Sequence, residues 1–450
     1  MIRPSGPLPL PSLVGWPADE PVSAQPSSAY GRPFWLAYAA NIFMMTAVSL
    51  LFRYADFVTL LGGTELHLGW IVGVGMVGSL AMRLAVGSGI DHYGPRMIWL
   101  GSILLFSAAC FAHLLLTTCH GPAIYAARIV WCCATAGFFG AMMTFVSGRA
   151  SVARMAEMIG MLGTAGFLGM ILGTQLSDYL LQTRPIERWQ VERMFAAAGL
   201  LGLGSAVFVY LATRGCAHCV PLQRSSPLGV LRRHRPGKVF LVGVAMGVGL
   251  GLPGTFLAPY VAQRGLPGIG LFFAVYGPAA IVTRLLTRRL PERLGTTPMI
   301  LVGIAALSIS QLLFLLVDAE WWLILPGVAF GIAHAVLFPS IVAAGSRSFP
   351  PQHRGLGTTV MLSTWDLGTL VGAPTAGVIL EFSSRVGLPS YPILFIWVAV
   401  LLGTVGLFFG LSERRTGRAI RYGMMEAPAD CSSTSRISSS ECVTKAPSSK

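Results

Sequence analysis

Charge is what this chain has least of. Only 11% of its 450 residues are Asp, Glu, Lys or Arg, while 54% are hydrophobic. A soluble globular protein carries about 25% charged residues, so a soluble enzyme, or one with a single anchor, is excluded. Acidic residues are scarcer than basic ones, 18 against 32, for a formal charge of +14. A basic excess can mark a nucleic-acid binder, but here Lys and Arg are scattered between apolar runs and form no patch. They read as a topology signal, and no nucleic-acid partner is expected.

Other signatures are also missing. The apolar runs are continuous, without the ten-residue alternation of a membrane β-barrel. The first 33 residues are rich in Pro, Ser and Gly, with no basic stretch leading into a short apolar core. They read as a disordered tail and not as a cleaved signal peptide. The eight cysteines form no secreted disulfide framework; Cys110, Cys132 and Cys133 fall inside apolar segments, where Cys acts as a small hydrophobe. "CAHC" at 216–219 has metal-ligand spacing, but only His234 offers a fourth ligand. A structural zinc site wants four, so no metal is expected. No phosphate-cradling loop, Ser/His/Asp set or paired carboxylates stand out. Neither an enzyme nor a cofactor is expected.

What is present is a series of apolar segments long enough to span a bilayer, about 20 residues each: 34–56, 67–86, 97–117, 121–146, 157–177, 191–213, 239–262, 268–287, 298–317, 321–345, 357–380 and 390–411. Lipid offers no partner for free backbone groups, so these are helices. The expected fold is an all-α polytopic membrane protein with twelve transmembrane helices. Alternate connections are rich in Arg, among them Arg83, Arg96, Arg149, Arg232, Arg289 and Arg347, whereas the other set holds Glu65, Asp178, Glu187, Asp318 and Glu381. The basic set is expected in the cytoplasm together with both termini. The longest basic connection, 214–237, divides the chain into a six-helix half at 34–213 and another at 238–411. The Ser-rich segment 412–450 reads as a second tail, and "SSTSRISSS" at 432–440 as a solvated stretch that could accept phosphate.

The halves echo each other. "GSGIDHYGPR" at 87–96 and "RRLPERLGTT" at 288–297 both follow the second helix of their half. Arg83 and Arg284, Asp91 and Glu292, and Gly94 and Gly295 are each 201 positions apart. Internally repeated halves are characteristic of secondary transporters, with substrate held between them near the bilayer midplane. The second copy is weaker, because Gly87 becomes Arg288 and Arg96 becomes Thr297.

"GSGIDHYGPR" resembles the loop signature of the major facilitator superfamily. Arg128 in "AIYAARIVWCCATAGFFGA" resembles the fourth-helix Arg of that superfamily, although Trp131 and Cys132 stand where Gln and Gly are usual. "GTAGFLGMILGTQLSD" from 163 resembles the fifth-helix motif of its antiporter branch without the motif's Pro, and the stretch 330–381 is similar to helices ten and eleven of bacterial drug, sugar and metallophore exporters. The resemblance covers residues 34–411. It implies two pseudo-symmetric six-helix bundles and a latch of Asp91, Gly94 and Arg96 with Gly87, repeated more weakly at Glu292 and Gly295. The plainer reading of both loops is a topology signal without a switching role.

Ionisable residues inside a span are costly and are therefore functional candidates. Asp366, in "STWDLGT", is a candidate proton carrier, against the plainer reading of a pair or cap joining two helices. Arg128 is a candidate anion site. Asn41, Gln175, Gln311, His334 and Trp365 are candidate cavity residues, each as readily an interhelical hydrogen bond. Arg53 and Asp56 can snorkel or pair, and the Gly ladder 160, 163, 166, 169 and 173 favours close helix packing. The expected function is secondary transport of a small solute by alternating access, with proton-coupled export preferred. The alternatives are uptake of an organic anion and a transporter-like receptor. A monomer in the inner membrane, with lipid and protons as partners, completes the expectation.

Overall fold

The computed structural model describes residues 30–149, 154–183, 185–215, 236–350 and 353–425. The surroundings of Gly87 and the side chains of Asp91 and Glu292 lie outside what is described, as do residues 1–29 and 426–450 of the two tails, "CAHC" with His234, and nearly all of the 214–237 connection; residues 412–425 of the second tail continue the last helix. Among the described residues, eleven helices are long and apolar enough to cross a membrane: α1 (Arg32–Leu60), α2 (Glu65–Val86), α3 (His92–His113), α4 (Pro122–Ser147), α5 (Glu157–Leu180), α6 (Arg188–Thr213), α7 (Lys238–Gln263), α8 (Gly270–Thr287), α9 (Thr296–Leu316), α10 (Glu320–Ser346) and α12 (Ser390–Arg414). The remaining long helix, α11 (Arg354–Arg385), is also long enough but too polar. Its Gly, Ser and Thr residues and Asp366 lower its hydropathy, and it is shielded by α2, α7, α10 and α12.

The first bundle packs α1 on α5 and α6, and α3 on α4 and α6; the second packs α7 on α11, α8 on α10, and α9 on α10 and α12. Small residues set these approaches. Gly169 and Gly173 of α5 sit against the α1 backbone at Ile42 and Thr46. Gly368 and Gly372 of α11 sit in the same way on α7 at Val244 and Val248. Each α11 glycine follows its α5 counterpart by 199 positions, so the repeat extends beyond the two loops. Gly160 meets open space, Gly163 faces α8, and Gly166 lies near Asn41.

The turns between α2 and α3 and between α8 and α9 share a conformation. Gly94 has φ 80° and ψ 158°, and Gly295 has φ 82° and ψ 171°. Residues with a side chain rarely adopt such a backbone. Each glycine reverses the chain at the end that also carries Arg96, Arg149, Lys238 and Arg347, termed here the basic face.

The bundles meet along two seams, α2 against α11 and α5 against α8. Towards the opposite face, the 3₁₀ turn Leu51–Arg53 and the last stretch of α1 pack on α7, and Phe52 contacts Phe273 of α8 at 5.0 Å between ring centres.

Candidate functional site

The α2–α11 seam contains the clearest charged contact between the halves. Asp366 is only 4% exposed. Its carboxylate pairs with the Nε of Arg83 and accepts a hydrogen bond from the Ser79 hydroxyl at 2.7 Å, while Arg83 Nη2 lies 3.4 Å from its second oxygen. Ser79 and Arg83 are one helical turn apart, so one face of α2 presents both donors to one acid. An acid buried in this way needs both a counter-charge and hydrogen bonds, and α2 supplies them from the other half.

The α5–α8 seam is built differently at the equivalent depth. Arg284 occupies the position of Arg83, but its guanidinium lies 5.8 Å from the ring centre of Phe167, and its buried Nε has no hydrogen-bond partner. Phe167 precedes Asp366 by the same 199 positions as the paired glycines, so an aromatic ring stands where the first seam has a carboxylate. Gly163, one turn from Phe167, leaves the space that the Arg284 guanidinium fills; a Cβ there would come within 2.7 Å of Nη1.

Around Arg284 lies a ring cluster drawn from both halves. His334 shares a hydrogen bond with the Tyr276 hydroxyl and lies 5.6 Å from Phe167, 5.5 Å from Phe338 and 5.7 Å from Trp365. Phe167 and Tyr276 are buried, whereas His334, Phe338 and Trp365 are half-buried. These rings come from α5, α8, α10 and α11, which places them between the bundles.

Towards the opposite face the second seam carries a carboxylate of its own. Asp178 of α5 accepts the Gly270 backbone N–H at 2.6 Å, at the start of α8. Arg53, 1% exposed, donates to Asp178 at 3.2 Å and to Asp56 at 2.6 Å. An acid at a helix N-terminus is favoured by the helix dipole.

The other candidates are separate from this cluster. Arg128 is 7% exposed inside the first bundle, 4.5 Å from the ring centre of Tyr54 and 4.3 Å from that of Trp131, with Nε and Nη1 unpartnered. It is not paired with Asp366. Asn41 is buried and donates to the Leu162 carbonyl at 3.0 Å, linking α1 to α5. Gln311 is buried and donates to the Gly249 carbonyl at 3.4 Å, linking α9 to α7. Gln175 lies beside Gly270. Arg96 lies 5.0 Å from the ring centre of Tyr210 within its own bundle. Sequence reasoning gave no site role to Ser79, Arg83, Phe167, Asp178, Tyr276 or Arg284. The one signal that could have found two of them is the repeat itself, which keeps an Arg at the end of the second helix in each half.

A family model described as the Major Facilitator Superfamily matches residues 34–319 and 239–442. The chain belongs to the major facilitator superfamily. Within the superfamily it is similar to an uncharacterized MFS-type transporter, YhhS, of Salmonella typhi, at 26% identity over 174 residues, or 36% of this chain. The Escherichia coli K12 protein of that name is 22% identical over 171 residues. The chain spans 42% of the length of these relatives. Among solved structures, a nucleoside transporter, NupG, aligns with TM-score 0.67 and 13% identity over 84% of this chain and 98% of that one. A POT family transporter, PepTSo, aligns with TM-score 0.67 and 12% identity over 85% and 98%. At these identities the likeness establishes the superfamily's fold alone.

Proposed function

We propose that this superfamily member exports a small solute by alternating access, driven by protons that enter on exchange. The observation that carries the reading is the Asp366–Arg83 pair, which ties the two bundles together through one buried carboxylate. A proton on Asp366 removes the charge that holds Arg83 and frees this seam on the basic face. Loss of the proton re-forms the pair. The Asp178–Gly270 contact is the corresponding tie at the opposite face. In this reading the basic face is cytoplasmic, the membrane is the inner membrane, and the working unit is a monomer. The loops at Gly94 and Gly295 act as the hinges at which each half bends.

The test is flux in proteoliposomes across a panel of solutes, with and without a pH gradient. Flux should follow the gradient and should lose that dependence in Asp366→Asn. Flux indifferent to the gradient in the unaltered protein would sink the coupling. A second reading, uptake of an organic anion, draws on the unpartnered Nε and Nη1 of Arg128. It predicts flux that depends on solute charge with no response to the gradient.

A further inference from the structure

We infer that Arg284 and the rings around it form the transported solute's binding site, and that the solute class is an aromatic carboxylate. The inference rests on the transporter reading and adds a location and a chemistry to it. The starting point is a mismatch within the repeat. Where Arg83 meets a carboxylate, Arg284 meets Phe167, and among the described residues no acid lies within ion-pair distance of it. A guanidinium remains charged in proteins and presents a planar fork of donors. A buried guanidinium nitrogen without a hydrogen-bond partner is costly, and Phe167 supplies only a ring face. A carboxylate brought in by a solute completes the contact that the protein provides for itself in the other seam.

The surroundings add the second half of the chemistry. His334, Phe338 and Trp365 are half-buried, and His334, which contacts both Phe338 and Trp365, meets Phe167 of the other bundle. Apolar walls with a few convergent polar groups are the common form of a small-molecule site. Ring-lined walls favour a flat ring, by edge-to-face or offset stacking. The Tyr276 hydroxyl and the His334 ring nitrogen, already hydrogen-bonded to each other, provide a polar edge beside the cation. The site draws on α5 from one half and α8, α10 and α11 from the other, so opening either face alters it. That is the requirement for a transport site.

The test is calorimetric titration of the purified full chain with benzoate, cyclohexanecarboxylate and benzamide, without a pH gradient. Benzoate should bind saturably, with cyclohexanecarboxylate and benzamide each roughly tenfold weaker or more, as the loss of stacking or of a charged hydrogen-bonded pair implies. Arg284→Gln should weaken benzoate by about tenfold or more, and Arg284→Lys, which keeps the charge without the fork, should fall between. Arg385→Gln, on an exposed pair at the opposite face, should match the unaltered protein. Thermal unfolding of unliganded Arg284→Gln should be no earlier than wild type, because the change removes an unmatched cation; this separates a binding loss from misfolding. Benzoate binding in Arg284→Gln that matches wild type, equal affinity for benzamide, or no saturable benzoate binding would each overturn the inference. Proton coupling is judged separately: gradient-driven flux with normal benzoate binding in Arg284→Gln removes the site and keeps the coupling. Benzoate binding lost in Arg284→Gln alongside gradient-indifferent flux in the unaltered protein keeps the site and removes the coupling.

Discussion

The two seams use equivalent helices and place their carboxylates at opposite ends. The α2–α11 seam holds Asp366 towards the basic face, where Ser79 and Arg83 reach it, and towards the other face Gly377 sits flush on the start of α2 at Glu65 and Leu66. The α5–α8 seam reverses this, with Asp178 on the start of α8 and Phe167 beneath Arg284. Asp178 and Gly377 are 199 positions apart, as are Phe167 and Asp366. A symmetric scaffold therefore carries one polar tie per face and one per seam. The repeat sets the shared geometry, and differences at two positions set the faces apart.

The comparison breaks most clearly at Asp366. Asp366→Asn leaves Arg83 without its counter-ion, and removing one partner of a buried pair costs about 3–5 kcal/mol. Gradient-driven flux is expected to fall by roughly tenfold or more on that scale, with membrane insertion unchanged; unaltered flux would show that the tie has no role. The converse change, Phe167→Asp, installs a carboxylate under Arg284 and gives both seams the same inner tie. Turnover should slow severalfold; a double-mutant cycle of thermal stability with Arg284→Gln, which by itself removes the proposed solute contact, measures the coupling, expected above about 1 kcal/mol. At the opposite face, Asp178→Asn retains an acceptor for the Gly270 N–H and loses charge near the α8 terminus and on the longer of the two Arg53 contacts, while Arg53 keeps Asp56 at 2.6 Å. That is about 0.3–1 kcal/mol, so transport should change by about fivefold or less, and an effect matching Asp366→Asn would erase the distinction between the faces. The smallest change is expected at the hinges. Nothing stands near a Cβ added at Gly295, and Gly94 shares its positive φ. Ala at either site therefore costs chiefly the positive-φ, extended-ψ backbone that glycine alone adopts readily, about 1–3 kcal/mol. Equal losses of thermal stability in the two variants would confirm that the turns are equivalent; unequal losses would show that one carries further contacts.

Much of this architecture is legible in the amino-acid sequence. Apolar length accounts for eleven of the twelve spans, because a bilayer imposes a fixed thickness on every helix, with α11 the more polar exception, and the echo at 87–96 and 288–297 locates the pseudo-symmetry. Asp366 stands out because charge at membrane depth is rare. Its partner is harder to find, since Arg83 lies near a helix end and there resembles one more topology-setting residue. Phe167 is invisible for a different reason: a phenylalanine in a membrane helix carries no signal until the glycines at 169 and 368 fix the register between α5 and α11. Arg128 and Asp366 are natural partners by charge alone, yet Arg128 is enclosed by Tyr54 and Trp131 within one bundle. Linear sequence does not encode which face of a helix turns inward when both faces are apolar.

The polarity of α11 also bears on how the protein is made. A segment with an Asp near its centre and a run of Gly, Ser and Thr partitions poorly from the translocon into lipid by itself. Its neighbours α2, α7 and α10 precede it in the chain, so a protein-lined berth can exist when it emerges. Biogenesis of the second half therefore depends on the first being in place, and separately synthesised halves should have their weakest step at this helix.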